Sequence, residues 1–178
     1  MKDLGGLKYF LGIEVARSRE GIYLSQRKYV LDLLSEIRMI ACKPAYTPIM
    51  QNHQLGIYQD QVPINKERYQ RLVRRLIYLS LTRPDIAYAV SVVSQFMHAS
   101  SKDHMAAVMR ILSYLKGAPG KGLMYRKHGH TELKGYTNAD WAENITDRRS
   151  TSGYFTFVAG NLVTWRSKKQ NVVARSSA

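Results

Sequence analysis

The stretch LTRPDIAYAV, residues 81–90, joins two helical patterns and decides the centre of the fold. Apolar residues recur at helical spacing over residues 69–80 before it, and a second apolar stripe covers residues 86–97. Thr82 and Asp85 have the spacing of a capping box, and the proline between them is tolerated in a first turn. We therefore predict that this stretch ends one helix and starts the next.

Helical patterns also flank this centre. Ser101 is placed to cap a third helix, whose apolar stripe ends before Gly117. Ser25 is placed to cap an earlier helix over residues 29–37. Residues 42–63 are irregular, polar and rich in proline, which is typical of a linker.

Strand patterns lie towards both ends of the chain. Residues 7–15 alternate between apolar and polar side chains and predict one half-buried strand, which a turn at Glu20-Gly21 leads into a returning strand. After Gly120 the helical spacing gives way to short strand patterns, at residues 123–125, 133–137, 153–158 and 162–165, with a tight turn at Gly160-Asn161. Helices and antiparallel strands together predict an α+β fold.

The composition favours a polyanionic partner. The 178 residues carry 27 Lys and Arg against 13 Asp and Glu, a formal net charge of +14, and 45% of them are hydrophobic, which suffices for a core. Nucleic acid is the first candidate and an anionic membrane surface the second, with a merely basic soluble protein as the plain alternative. Residues 1–6 lack the apolar segment of a signal peptide, and no stretch is long and apolar enough to span a membrane. We therefore expect nucleic acid rather than membrane as partner, in the cytoplasm or nucleus.

The cysteine and histidine residues indicate neither a disulfide nor a zinc site. Cys42 is the single cysteine, so no internal disulfide forms, and no Cys/His set has the spacing of structural zinc.

Several motifs, in order along the whole chain, resemble copia-type retrotransposon Pol polyproteins. Three motifs resemble the segment that follows the catalytic aspartates of their reverse transcriptases. They are MKDLG at residues 1–5, YFLGIE at 9–14 and LSQRKY at 24–29. The family's thumb/connection is resembled by LTRPDIAYAV at 81–90 and ILSYLKG at 111–117. The opening of its ribonuclease H domain is resembled by GYTNADWA at 135–142, DRRSTSGY at 147–154 and WRSKKQ at 165–170.

This resemblance implies three units. Residues 1–50 would be the C-terminal end of a reverse transcriptase palm, with a β-hairpin and a helix. Residues 51–120 would be a small helical thumb/connection. Residues 121–178 would be the N-terminal part of a ribonuclease H-like domain, with the first three antiparallel strands of a truncated sheet.

The resemblance also implies two-magnesium chemistry whose ligands are incomplete here. Such enzymes hold two divalent ions roughly 4 Å apart between carboxylates. The family's polymerase aspartates lie upstream of residues 1–5, and Asp3 and Glu14 are not their equivalents. Asn138 occupies the position of the first ribonuclease H metal carboxylate, and its amide supplies an oxygen but no charge. The next ligand of the family directly follows the Ser-Ser-Ala match at residues 176–178.

Asp140 is the residual acidic candidate beside Asn138. It is either a weak site for a hydrated magnesium ion or a surface or cap residue. We expect that the chain is not an enzyme and needs no cofactor, although Mg²⁺ belongs to the parent family.

Arg74 is a further departure from the family, which commonly has glycine there. We expect Arg75 to face solvent and Arg74 to extend its side chain towards solvent with some loss of packing. Arg74, Asn138 and the incomplete ligand set suggest a decayed copy of the element. Metal-dependent cleavage of an RNA–DNA hybrid by the folded chain would contradict this hypothesis.

Nucleic-acid binding needs only well-placed cations and can persist without catalysis. The candidates cluster around one helix and its end, and again in the second half of the chain: Arg71, Arg74, Arg75 and Arg83, then Arg148, Arg149, Arg166, Lys168 and Lys169. Tyr154 and Trp165 either stack on bases or cover the sheet, and Arg148 is alternatively an ion-pair partner of Asp140 or Asp147. We predict non-specific binding of an RNA–DNA hybrid or duplex with a steep salt dependence. The remaining Pol domains would be partners in an intact element.

Two alternatives stay open. One is a ribonuclease H that is active only when residues beyond Ala178 or another chain complete it. The other is a co-opted protein-interaction module, which exposed strand edges would favour.

Overall fold

The computed structural model describes residues 6–58, 60–139 and 149–172. They form four helices and two antiparallel sheets, which confirms the α+β class. The helices are α1 (Arg27–Glu36), α2 (Lys66–Leu79), α3 (Ala87–Ser94) and α4 (Lys102–Gly117). The first sheet contains β1 (Tyr9–Phe10), β2 (Ile13–Ser18), β3 (Gly21–Ser25) and β4 (Leu123–Arg126). The second contains β5 (Leu133–Ala139), β6 (Thr151–Val158) and β7 (Asn161–Lys169).

A tight turn divides the segment that was predicted as one strand over residues 7–15. Leu11 and Gly12 have φ angles of 48° and 81°, and β1 and β2 pair antiparallel on either side of them. Positive φ at both central residues is characteristic of a two-residue hairpin turn. Tyr78 of α2 donates a hydrogen bond to the Leu11 carbonyl, which holds the turn against the helix. The prediction of a single strand was wrong because apolar residues continue the alternation through the turn.

The first sheet joins distant parts of the chain. β4 pairs antiparallel with β3, and Leu24 lies opposite Leu123. A Cβ atom at Gly122 would lie 2.0 Å from the Leu24 carbonyl oxygen, so the close approach requires glycine. β4 therefore belongs to the first sheet, whereas the sequence grouped residues 121–178 together. The division into three units stays a prediction.

The core lies between the helices, where the predicted apolar stripes are buried. Tyr69 of α2 is fully buried and donates a hydrogen bond of 2.6 Å to the Val93 carbonyl of α3. The other fully or nearly fully buried side chains include Leu33, Leu34, Leu72, Val73, Leu76, Ile86, Val108, Ile111, Leu112 and Leu115. No helix among the described residues is long and apolar enough to cross a membrane.

The junction between α2 and α3 lacks the predicted capping box. A short 3-10 turn, Pro84–Ile86, precedes α3. The Thr82 hydroxyl donates to Gln26 Oε1 at 2.8 Å, and the Asp85 carboxylate binds Arg83 instead of backbone N–H groups. Both predicted capping side chains are thus engaged in tertiary contacts, which the spacing alone did not reveal.

The other predicted caps have mixed outcomes. Ser25 ends β3, and Gln26 precedes α1 without a side-chain cap, so the prediction for Ser25 was wrong. Ser101 precedes α4 as predicted, and its N–H donates to His104 Nδ1 at 3.0 Å. The described part of residues 42–63 is irregular as predicted, with no helix and only an isolated bridge from Pro63 to Ser101. Its role as a linker between units stays a prediction.

The second sheet has the strand order β5-β6-β7 and contains the three predicted strands, each somewhat longer than predicted. Its turn lies at Ala159 and Gly160, with φ of 48° and 73°, one residue earlier than predicted. The sheet is fixed to the helices through β7, where Trp165 Nε1 donates to the Ser80 carbonyl at 2.9 Å. β5 is an edge strand whose residues 133–138 are all exposed.

Candidate nucleic-acid interface

The outer side of α2 carries exposed arginines. Arg71 and Arg74 are three residues apart and therefore neighbours on the helix surface. Arg71 Nη2 lies 4.0 Å from Glu36 Oε1, and Arg75 pairs more closely with the same carboxylate. Arg74 is exposed, as expected, whereas the Arg75 side chain is only 33% exposed and faces solvent less than expected. Glu36 at the end of α1 pairs with Arg75, while Arg74 extends into solvent. The loss of packing at Arg74 stays a prediction.

Arg68 belongs to the same surface but was missed in the sequence. It is exposed and lies three residues before Arg71, one turn earlier on α2. The helical spacing that marks Arg71 and Arg74 would have identified it. Arg68, Arg71 and Arg74 are called the α2 arginines below.

Arg83 is a structural residue, and its burial contradicts its predicted place among the phosphate contacts. It is 1% exposed. Its Nε and Nη2 atoms each donate to Asp85 at 2.9 Å, and its Nη1 donates to the Ala118 carbonyl at 2.9 Å. The Tyr114 ring lies 5.8 Å from the guanidinium carbon. All sides of this cation are therefore occupied by the protein itself.

Asp85 completes this buried ionic cluster. Its Oδ2 atom accepts a hydrogen bond of 2.8 Å from Tyr114 and lies 3.2 Å from Lys121 Nζ. Burial raises the pKa of Asp85, but the hydrogen bonds and charge of Arg83, with those of Tyr114 and Lys121, outweigh burial and lower the pKa to about 2. The carboxylate is consequently ionised at neutral pH, and the cluster ties the start of α3 to the end of α4.

The strand register places the cations of the second sheet on different faces. Arg166 lies opposite Tyr154, and Lys168 lies opposite Ser152, so both cations project from one face. Both are exposed. Lys169, opposite Thr151, projects from the other face and is half-buried. Arg166 and Lys168 are called the sheet cations below.

The remaining basic candidates of the second half of the chain are Arg148 and Arg149. Arg149 is exposed and precedes the fully buried Ser150. Arg148, Asp140 and Asp147 lie outside the described residues, as do residues 176–178. Their predicted roles stay predictions.

A cavity lies where the end of α2 meets β7. Ile77, three residues after Arg74 on α2, lines a cavity of about 560 Å³ together with Trp165 and Arg166. Ser80, whose carbonyl binds the Trp165 indole, also lines this cavity. The C-terminal half of α2 and strand β7 thus meet at this cavity.

The described surroundings of Asn138 supply no carboxylate for a magnesium ion. Asn138 is exposed on β5 opposite Gly153 and lines a cavity of about 330 Å³ with Tyr88, Tyr136 and Arg166. None of the described residues that line this cavity carries a carboxylate. Nor does the described part of the chain contain a group of three or more His, Cys, Asp or Glu that could hold a metal. A neutral amide without a neighbouring carboxylate lacks the negative charge that Mg²⁺ requires.

Comparison with known proteins gives strong matches over nearly the whole chain. The chain is 44% identical over 177 residues to the retrovirus-related Pol polyprotein from transposon RE1 of Arabidopsis thaliana, and this match covers 99% of the chain. It is also 38% identical to an uncharacterized mitochondrial protein of Arabidopsis thaliana, of which it covers 73%. The chain belongs to the Pol polyprotein family of copia-type retrotransposons. A third relative of this copia-type Pol segment, the Pol polyprotein from transposon TNT 1-94 of Nicotiana tabacum, is 38% identical over 99% of the chain.

The family resemblance noted in the sequence is thereby confirmed. The copia-type Pol segment spans 12% of the RE1 polyprotein and 14% of the TNT 1-94 polyprotein. No protein-family model and no solved structure matches it.

Proposed function

We propose that this copia-type Pol segment binds nucleic acid without sequence preference and does not itself catalyse polymerisation or RNA cleavage. The observation that carries the proposal is the exposure of the α2 arginines and the sheet cations on a chain with a formal net charge of +14. Exposed guanidinium and ammonium groups donate hydrogen bonds to phosphate oxygens, and such contacts carry no sequence information.

The salt dependence of binding follows from these contacts. Each cation that neutralises a phosphate of B-form DNA releases condensed counterions and adds roughly 0.9 to the slope of log affinity against log salt. Arg71, Arg74, Arg166 and Lys168 together would therefore contribute a slope of roughly −3.6. In a merely basic protein with no defined contact surface, the magnitude of the salt slope would decrease by the same amount whichever charges were removed.

The absence of catalysis is supported by the chemistry around Asn138. Phosphodiester cleavage by two metal ions requires carboxylates that converge on both ions. None of the described residues that line the Asn138 cavity carries a carboxylate. We expect purified protein to leave an RNA–DNA hybrid intact in magnesium buffer while it still binds that hybrid.

The test of binding uses paired charge-neutralising variants. Fluorescence anisotropy of a labelled duplex would be titrated over a range of NaCl concentrations with wild type, Arg71→Gln/Arg74→Gln and Arg166→Gln/Lys168→Gln. Each pair should lower the magnitude of the salt slope by roughly 1.8. The matched control, Arg19→Gln/Lys127→Gln, removes two exposed charges at the far end of the first sheet and should leave the slope nearly unchanged.

Affinity that does not change between low and high salt would refute the binding proposal. Equal loss of slope in all three double variants would show that net charge, and not these surfaces, governs binding. Metal-dependent cleavage of the hybrid, abolished by EDTA, would refute the proposed lack of catalysis.

A further inference from the structure

The second sheet presents two neighbouring aromatic residues to opposite sides. Trp165 on β7 lies opposite Phe155, whereas Tyr154 on β6 lies opposite Arg166. Because successive side chains alternate across a sheet, the Trp165 and Tyr154 rings project from different faces. Trp165 covers the face that packs towards α2, since its indole donates to the Ser80 carbonyl at 2.9 Å. Tyr154 therefore belongs to the face that turns away from the helices.

Threonines lie beside Tyr154 on this outer face, towards β5 and along β6, while Arg166 lies on its β7 side. Thr137 of β5 lies directly opposite it, and Thr156 follows it two residues later on β6. Thr164 of β7 lies opposite Thr156 and is exposed. Directly opposed side chains in an antiparallel sheet have Cβ atoms about 5 Å apart, so a bulky side chain in place of Thr137 would cover the ring from the β5 side. With threonines in these places the Tyr154 side chain remains 41% exposed.

The sheet cations lie beside the ring on the same face. Arg166 is the direct cross-strand partner of Tyr154, and Lys168 is the next residue of that face along β7. Alternate residues of a strand are roughly 7 Å apart, so the two cations form a short row parallel to the strand. A flat face with one open aromatic ring beside two cations combines the two elements that bind an unpaired strand, a stacking platform and phosphate contacts.

We infer that the outer face of the second sheet is a site for single-stranded nucleic acid, in which an unpaired base stacks on Tyr154 and the adjoining phosphates bind Arg166 and Lys168. This inference rests on the proposed nucleic-acid binding and names the form of nucleic acid that this face selects. In a duplex both faces of each base are covered by neighbouring bases, so Tyr154 gains nothing from it. Arg166 and Lys168 bind the phosphates of a single strand or a duplex equally, whereas the Tyr154 ring favours the single strand.

The experiment compares single-stranded oligothymidylate with a duplex of equal length, using wild type, Tyr154→Leu and Tyr154→Phe. Stacking of one base predicts that Tyr154→Leu weakens single-strand binding by about tenfold at constant salt, while duplex binding changes less than twofold. Tyr154→Phe retains a ring and should bind both forms like wild type. Tyr46→Leu is the matched control, because Tyr46 is 95% exposed in the linker and lies on neither cationic surface.

A direct measurement covers the case in which Tyr154→Leu does not fold. A single strand with one fluorescent base analogue, bound to wild type, should show a change in its emission from ring contact, and Arg166→Gln/Lys168→Gln should shift that change to higher protein concentration. An unchanged emission at saturating protein overturns the inference.

The outcomes separate this inference from the proposed function. If Tyr154→Leu weakens single-strand and duplex binding equally, or weakens neither, the stacking site is refuted while salt-dependent binding stands. If wild type shows no salt-dependent binding to either form, the proposed function fails first, and the inference fails with it.

Discussion

The helical centre and the second sheet treat their basic residues in opposite ways. In the helical centre Arg83 is 1% exposed and its donors bind Asp85 and the Ala118 carbonyl. On the second sheet Arg166 and Lys168 are exposed on a face that also leaves Tyr154 open. The comparison shows that the positive charge of a side chain does not by itself determine whether the side chain is structural or binds a ligand. A buried cation holds the fold together, and an exposed cation beside an open ring is available to a ligand.

The two regions also differ in how they bury apolar side chains. Leu76 of α2 is 0% exposed, whereas Leu133 of β5 is 69% exposed. Hydrophobic stabilisation scales with the apolar area removed from water, so the helical centre supplies most of it. The second sheet depends for its stability on its attachment to the helices through β7.

The largest expected effect comes from matched leucine truncations in these two regions. Leu76→Ala should lower the free energy of unfolding by about 4 kcal/mol, because it leaves a cavity in a packed core. Leu133→Ala removes an exposed side chain and should change the free energy by less than about 0.5 kcal/mol. Urea unfolding followed by circular dichroism measures both, and equal losses would mean that the regions are equally packed.

Arginine substitutions test whether the buried cation is structural. Arg83→Ala leaves the Asp85 carboxylate without its principal partner and should lower the free energy of unfolding by about 3 kcal/mol. Arg74→Ala, on the exposed side of α2, should stay within about 0.5 kcal/mol of wild type. If Arg83→Ala weakened nucleic-acid binding without affecting unfolding, the roles assigned to these two arginines would be reversed.

A pH-dependent effect is expected from His104 in the helical centre. His104 is fully buried, its Nδ1 accepts from the Ser101 N–H at 3.0 Å, and its Nε2 lies 3.1 Å from the Gly56 carbonyl. Burial lowers the pKa of His104 below its usual 6.5, although Gly56 and nearby Asp103 act in the opposite direction. The unfolded state then takes up a proton more readily than the folded state, so stability is fully present above pH 6.5 and falls as pH decreases through 6.5 towards the folded pKa.

The measurement is the free energy of unfolding on either side of pH 6.5, for wild type and His104→Gln. His53, whose pKa is also lowered by burial, contributes with the same sign, so both proteins should carry His53→Gln. His104→Gln should be less stable at neutral pH and should lose most of the remaining pH dependence. Asp85, with a pKa of about 2, titrates well below this range. An identical pH profile in the two proteins would show that His104 does not titrate on unfolding.

The smallest effect on stability is expected at the sheet cations. Arg166→Gln should change the free energy of unfolding by less than about 0.5 kcal/mol, because the side chain is exposed. The same substitution should lower the magnitude of the salt slope of duplex binding by roughly 0.9. A large loss of stability would instead place Arg166 with Arg83 as a structural residue.

Much of the helical centre could be predicted from local patterns. The apolar stripes of α2, α3 and α4 repeat at helical spacing, and their residues are the buried ones. The turn at Leu11 and Gly12 could not be predicted in the same way, because its residues continue the alternation of the flanking strands. The Leu11 carbonyl of this turn accepts a hydrogen bond from Tyr78 of α2, a contact that no local pattern reveals.

The candidate site could be predicted only in part, for a related reason. The sequence identifies Arg83 and Arg166 equally well as cations, but their burial depends on distant partners such as Ala118 and Ser80. Whether Tyr154 faces solvent depends on the register of β6 with β7, which the alternation leaves undetermined until one side chain of the sheet is anchored. Trp165 is that anchor, and its contact spans 85 residues of chain.

The pairing of β3 with β4 has a consequence for how the chain folds. Tyr23 donates a hydrogen bond of 2.8 Å to the Gly120 carbonyl, across a sequence separation of 97 residues. Closing so long a loop costs conformational entropy before the strand contacts can offset it. We therefore expect β3 and β4 to pair late in folding, after the intervening helices have packed together. On the ribosome, the exposed hydrogen-bonding groups of β3 must wait for the whole helical centre to be synthesised before their partner strand emerges.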